Sequence, residues 1–371
     1  MTVKNPLLDP PAISAPQFNT LAQSIATLFG TRHDVLLPQG EAVLPLEAAA
    51  RGVAHPGSTA LNVITSPYGR AFGRWLREGG TEVVEVEAPK GQPIDPGVVL
   101  RALEQHPEIS VVSFVHVEAI SGVRNDAALI SQMAHDHGAI VVLDAVASIG
   151  AHDVAIDEWG LDITVLAPQK ALAGPAGISI AVINDRAWKV LSDNPRAPRG
   201  SILSLLDWKE QWLDTDRSVV PIILAPLEVL ALEAAVERLQ REGLTSVTRR
   251  HRAAAAASRA GARALGLTPF VEDDDAAVVV TTLRAPDGSD ARSLVRAASA
   301  HGAPALSPGF GELSTDVIRI DHTGERARLD VVLASLNALG SALGEETPDQ
   351  VAIDAALATA SQAWTDELDA N

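Results

Sequence analysis

At 371 residues and 38.8 kDa, with 47% hydrophobic residues, the chain is long enough for two domains with filled cores, which excludes a wholly disordered protein. A net charge of −18, with no Lys/Arg-rich run interleaved with aromatics, argues against a nucleic-acid partner and for a small-molecule one. The absence of cysteine removes disulfides, thiolate zinc sites and thiol nucleophiles together.

In chain order, residues 1–17 are Pro-rich and read as an arm wrapping another surface. They lack the apolar core of a signal peptide, and no later apolar run reaches the ~18 residues of a membrane span, so a soluble cytoplasmic protein without a membrane partner is expected. "FNTLAQSIATLFG" has helical spacing, and strands then alternate with helices. "DVLLP" precedes "LEAAARGVA", "TALNVITSP" precedes "YGRAFGRWLREGG", and "TEVVEVEAP" precedes "PGVVLRALEQHP". "ISVVSFVHVE" leads to "AALISQMAHDHG", and "AIVVLDAVAS", "DITVLAP" and "GISIAVIN" follow. Continuous apolar strands separated by amphipathic helices predict an α/β fold with a doubly wound, mainly parallel sheet buried on both faces. "PRGSILSLLDWKEQWLDTDRSVVP" reads as a surface-covering insertion. One long Ala-rich helix, "LEVLALEAAVERLQREGLTSVTRRHRAAAAASRAGARALG", then leads out of a large domain spanning 18–255. Residues 256–371 read as a small C-terminal α+β domain.

Ligands of open parallel sheets collect beyond the carboxyl ends of the strands. Three strands end there in polar groups: His116 and Glu118, then Asp144, then Gln169 and Lys170. Only five lysines occur, and Lys170 has the least polar surroundings of them. A lysine desolvated at such a rim is a Schiff-base nucleophile toward an aldehyde; otherwise it is a snorkelling surface lysine. Asp144 either holds a proton on a heteroaromatic nitrogen or caps a loop. Together the two make a pyridoxal site. His116 is expected as a core histidine behind the rim.

"VHVEAISGVRND", "VVLDAVASIGA" and "LAPQKALAGPAGIS" resemble the class V aminotransferases, the fold-type I pyridoxal-phosphate group, in both order and spacing. The resemblance implies a Schiff base on Lys170, Asp144 paired with the pyridine nitrogen, Val146 against one ring face and Tyr68 against the other. It further implies Arg319 as the grip on the carboxylate of an amino or 2-oxo acid, suited to that task by its bidentate fork, and a homodimer or dimer of dimers. Ala119 replaces the family's hydroxyl beside the ring, leaving Ser121 or a water to serve. Phe310 stands where a second carboxylate-binding arginine occurs in part of the group.

The hinge "LLPQGEAVLPLE" adds a substrate expectation. Phosphate-bound members have a Ser/Gly/Thr-rich loop here, cupping a dianion at a helix N-terminus, whereas this chain presents Glu41. Two like charges ~4 Å apart repel by ~4 kcal/mol at an effective dielectric near 20. Glu41 therefore either caps its helix or accepts a hydrogen from a neutral 5′-hydroxymethyl group. Over nearly its whole length, in stretches such as "GEAVLPLEAAA", "APDGSDARSLVRAAS" and "SPGFGELSTDVIRIDHTG", the chain resembles the branch of the family, serving vitamin B6 degradation, in which pyridoxamine is the amino donor and pyruvate the acceptor, and that resemblance implies the second option. There pyridoxal and pyridoxamine act as substrates rather than bound cofactors. Gln169, a side-chain donor at the same end, suits the alternative: a pyridoxal-phosphate-bound enzyme of the alanine- or serine–glyoxylate type. A non-catalytic ligand-binding homologue is the third possibility.

Overall fold

The computed structural model describes residues 7–344 and 349–370; the start of the N-terminal arm, residues 1–6, lies outside the described residues. The first helix, α1 (Ala15–Leu28), begins inside the expected arm because Ser14 accepts a hydrogen bond from Gln17 N and Pro16 occupies the first turn. The chain continues through β1 (Asp34–Leu36), α2 (Val43–Val53), β2 (Thr59–Ile64), α3 (Pro67–Glu78), β3 (Glu82–Glu87), α4 (Pro96–Gln105), β4 (Ile109–Val115), α5 (Ala127–Asp136), β5 (Ile140–Asp144), β6 (Ile163–Leu166) and β7 (Ile180–Ile183). These strands form a seven-stranded sheet in the order β1-β7-β6-β5-β4-β2-β3. Pairing is parallel from β3 to β6, and β7 alone runs against its neighbours. Strands β2 and β4–β7 are almost entirely buried, as continuous apolar runs require.

Strand β3 departs from that expectation. Glu82, Glu85 and Glu87 are exposed and fall on both of its faces, because it is the edge strand.

After the sheet come α6 (Asp185–Asp193), α7 (Leu205–Gln211), α8 (Pro226–Glu242) and α9 (Leu244–Ala264). The segment expected only to cover a surface also contributes to the core: Trp208 and Trp212 are buried against Phe18, with ring centroids 6.0 and 5.5 Å away. The single long helix expected here is two helices. Gly243 adopts φ 81°, ψ 133°, a conformation closed to L side chains in a helix, and separates α8 from α9. Then follow β8 (Val280–Arg284), α10 (Ala291–Ala300), β9 (Leu306–Pro308), β10 (Val317–Asp321), α11 (Leu329–Leu343) and α12 (Gln350–Asp369). Strands β8-β10-β9 make a small antiparallel sheet. Small residues let α9 approach its neighbours closely: a Cβ on Gly261 would fall 2.3 Å from Leu336 and 3.0 Å from Ala360.

One core runs from Phe18 to Val247, and a second from Ala254 to Ala360. A seam of Val117, Ala147, Ala171, Ala277 and Val279 joins the rim of the large sheet to the segment entering β8. This seam sets the small sheet beside the ends of β4, β5 and β6.

Candidate active site

The carboxyl ends of β4, β5 and β6 converge on a cavity lined by Glu118, Asp144 and Lys170, three residues drawn from three successive strand ends. The hinge and first turns of α2 add Glu41, Val43 and Leu46, the start of α3 adds Tyr68, and Val146 and Ala119 complete the wall. Six of the residues read from the sequence thus share one space: Glu41, Tyr68, Glu118, Asp144, Val146 and Lys170. Gln169 joins them through Glu41. Ser121 does not line this cavity. It lies in a separate cleft with Phe310, its Oγ buried without a partner, because residues 119–121 form a turn, closed by Gly122 N on Glu118 O at 2.8 Å, that carries it past the ring space. Arg319 stands outside the cavity lining, on β10 of the small sheet, where its Nη2 donates to Asp321 at 2.6 Å and its Nε has no partner.

Asp144 ends β5. Its Oδ1 accepts from Val146 N at 2.9 Å, which also fixes Val146 at the cavity wall. Burial raises its pKa to about 7, with Glu118 and Glu41 adding to the rise while the Val146 N–H and Lys170 oppose it. Asp144 is thus a carboxyl whose charge depends on what enters the cavity. Glu118 is buried, which raises its pKa; Thr65 Oγ1 donates to its Oε1 at 2.6 Å, and its Oε2 has no partner. Thr65 brings to the rim a hydroxyl that sequence reading missed, its only signal being its place in "ITSPYG". Tyr68 is half exposed, with its hydroxyl pKa raised by burial and by the carboxylates of Glu41, Asp144 and Glu118. Lys170 follows β6 in a turn closed by Ala173 N to Lys170 O at 3.0 Å, and its side chain reaches the wall of the cavity.

The hinge before α2 differs from an anion cup. Gly40, at φ 139°, donates its N–H to Gly177 O at 2.8 Å. Glu41 Oε2 accepts from Val43 N at 2.8 Å, and Leu44 N reaches Glu41 O at 2.9 Å. Glu41 Oε1 accepts from Gln169 Nε2 at 2.9 Å, leaving Gln169 Oε1 buried without a partner. Three backbone donors of the hinge are therefore already engaged, and the Glu41 carboxylate lies beside them. The residues present fit a pyridine ring: the Val146 and Tyr68 walls, the half-buried acid Asp144 and the amine of Lys170. At its far end, the cavity offers an acceptor with a negative charge.

His116 faces away from the ring cavity. Its backbone N–H donates to Asp144 O at 2.9 Å, while its buried ring packs beside His152 and Trp159 and leaves Nδ1 without a partner. Burial lowers its pKa to about 3, so the ring is neutral. Among the described residues no cluster of His, Cys, Asp or Glu could hold a metal, and no helix is long and apolar enough to cross a membrane.

Comparison with known proteins agrees with this architecture. The family model "Aminotransferase class-V" matches residues 18–300. A pyridoxamine–pyruvate transaminase of Mesorhizobium japonicum is 37% identical over 323 residues, covering 86% of this chain and 82% of that protein. An L-aspartate–glyoxylate aminotransferase of Paracoccus denitrificans is 30% identical over 290 residues, covering 75% of this chain and 70% of that protein. Among solved structures, pyridoxamine–pyruvate aminotransferase of Mesorhizobium loti superposes with a TM-score of 0.88 at 32% identity, covering 96% of this chain and 93% of its own. The fold is that of the fold-type I aminotransferases, and the chain belongs to the class V aminotransferases, a pyridoxal-phosphate-dependent family, and is an aminotransferase.

Proposed function

We propose that the protein moves the amine of pyridoxamine to a small 2-oxo acid, with pyruvate the first choice, giving pyridoxal and L-alanine. The exchange needs no other reactant. The observation that carries this reading is the filled N-terminus of α2, where Glu41 holds the first-turn donor and Gln169 and presents a carboxylate to the ligand's 5′ end. A neutral hydroxymethyl group gains an acceptor there, whereas a phosphate meets a like charge. The relatives that act on pyridoxamine support the same choice.

When bound, the pyridine ring supplies an electron sink. Residues 18–255 hold it, and residues 256–371 bring the substrate arginine. Lys170 Nζ carries the proton between the two carbons that exchange the amine. Asp144, with its pKa about 7, is matched to a ring nitrogen: it ionises as that nitrogen takes up the proton and then pairs with it. Val146 and Tyr68 hold the two ring faces, and Glu118 and Thr65 sit at the edge where the family's hydroxyl is lacking. Arg319 receives the 2-oxo carboxylate with its unpartnered Nε and an Nη, exchanging part of its pairing with Asp321. Val219 and Ile223 are exposed apolar residues in the stretch that Gln39 Oε1 holds at Ala225 N, near the hinge; a second copy of the chain would cover them as a homodimer.

The second reading, a phosphate-bound enzyme using glyoxylate, is favoured by one feature, the Gln169 amide donor at the 5′ end. Gel filtration separates the two. The first reading predicts colourless protein that binds added pyridoxal reversibly; protein that stays yellow on purification, with phosphate released on denaturation, would establish the second instead.

A further inference from the structure

Strand β10 carries Arg319 and runs directly into the loop His322–Arg326, which lies against the turn that holds Lys170. The approach is close: a Cβ at Gly324, whose φ is +60°, would fall 2.9 Å from Lys170 O and 2.9 Å from Ala173 Cβ. Ala173 itself has φ 48°, uncommon for a residue other than glycine, so the turn is held in a shape it would not favour alone.

Three side chains from α8 and α9 fasten these segments. His251 is fully buried. Its Nδ1 lies 2.7 Å from Val247 O and must donate, because a carbonyl only accepts; its Nε2 therefore accepts from Gly324 N at 3.0 Å. Burial keeps that ring neutral, lowering its pKa to about 4. Arg250 donates through Nη1 to Gly324 O and is itself steadied by Glu242, 2.6 Å from its Nε. Arg238 spans both segments, with Nη2 on Leu172 O and Nη1 on Glu325.

We propose that His251, with Arg238 and Arg250, is a positioning residue that locks the Lys170 turn to the loop following the Arg319 strand. Capture of the substrate carboxylate and the reach of the lysine are then set by one rigid contact. The coupling to Arg319 rests on the function proposed above; the positioning of Lys170 does not.

His251→Asn and His251→Gln divide the two bonds. The Asn amide reaches the Nδ1 place and keeps the Val247 bond, leaving Gly324 N–H buried without an acceptor; the Gln carbonyl reaches the Nε2 place and restores that acceptor. The readout is the rate at which pyridoxal is trapped on Lys170 by borohydride, followed by mass spectrometry alongside thermal stability. We expect Asn to slow trapping about tenfold and Gln to stay within about twofold of wild type, although both lower the melting temperature. With pyridoxamine and pyruvate, Asn alone should also raise the KM for pyruvate. Equal trapping in Asn and wild type, or loss in both variants in step with stability, would overturn the inference. If neither variant folds, Arg238→Met, at a partly exposed position, decides: slowed trapping with little change in stability supports the lock, and unchanged trapping refutes it. Wild type that traps pyridoxal yet transfers no amine from pyridoxamine removes the proposed substrate and the coupling to Arg319, leaving the test of lysine positioning intact.

Discussion

Glu41→Gln should convert discrimination against phosphate into acceptance of it. The carboxylate is fixed by Val43 N at 2.8 Å and Gln169 Nε2 at 2.9 Å, so it does not simply swing away from an incoming anion. At ~4 Å, a unit pair repels by ~1 kcal/mol in bulk water and ~4 kcal/mol at a protein surface of dielectric near 20. Glu41 is exposed at the cavity mouth, and solvent screening places its contribution in the lower half of that range. For a phosphate of nearly two charges this gives ~2–4 kcal/mol, or roughly thirtyfold to a thousandfold in affinity. The substituted amide preserves the local bonds: its oxygen accepts from Val43 N, and a flip of the Gln169 amide turns that residue's orphaned oxygen toward the new NH2. Dissociation constants of pyridoxal and pyridoxal phosphate, measured by visible absorbance for both proteins, give the ratio of interest. The variant should tighten pyridoxal phosphate by that factor and weaken pyridoxal less than about tenfold, through loss of one charge-assisted hydrogen bond. The wild-type preference should also shrink as salt is raised. An unchanged ratio would refute the exclusion argument.

Asp144→Asn tests the half-buried acid by pH. The folded chain keeps the Asp144 proton up to about 7, while the unfolded chain loses it near 3.8, so ionisation destabilises the ligand-free fold as pH rises between these values, by at most ~4 kcal/mol. The melting-temperature difference, variant minus wild type, should therefore grow from pH 4 to 7, while amine transfer falls by about two decades or more; a flat difference would contradict the raised pKa. Arg319→Lys should raise the KM for the 2-oxo acid about tenfold or more, with a smaller change in KM for pyridoxamine, measured by steady-state kinetics. Lys170→Ala should abolish the borohydride-reducible adduct with pyridoxal, read by mass spectrometry, at near-unchanged melting temperature. Trp212→Ala should cost ~3–5 kcal/mol by urea unfolding, since the indole is fully buried against Phe18 and Trp208.

The alternation of apolar runs makes the large sheet legible, and polar residues at three successive strand ends point to its rim, because parallel strands deliver their termini to one side. Which acid matters is less legible. Asp162 is more fully buried than Asp144, yet it is spent on structure, accepting from Val141 N and Asn184 and facing His135. Only its position at the start of β6, rather than the end of a strand, separates it from Asp144. Asn62 and Ser113 read as part of apolar strands. They pair inside the core at 2.8 Å, with Asn62 also donating to Gly69 O at the start of α3. The break at Gly243 is hidden because one glycine in an Ala-rich helical pattern is tolerated at modest cost. Ser121 illustrates the limit of counting along a loop: it lies two residues beyond Ala119, and the backbone turn carries it into a separate cleft. The His251 lock leaves no local trace either, since it joins residues 73 positions apart.

The most direct test is to incubate the purified protein with pyridoxamine and pyruvate, without added pyridoxal phosphate, and to follow both products. Stoichiometric pyridoxal and L-alanine, formed over many turnovers and not stimulated by pyridoxal phosphate, is the predicted result. Alanine formed only when pyridoxal phosphate is supplied, with no free pyridoxal released, would contradict it.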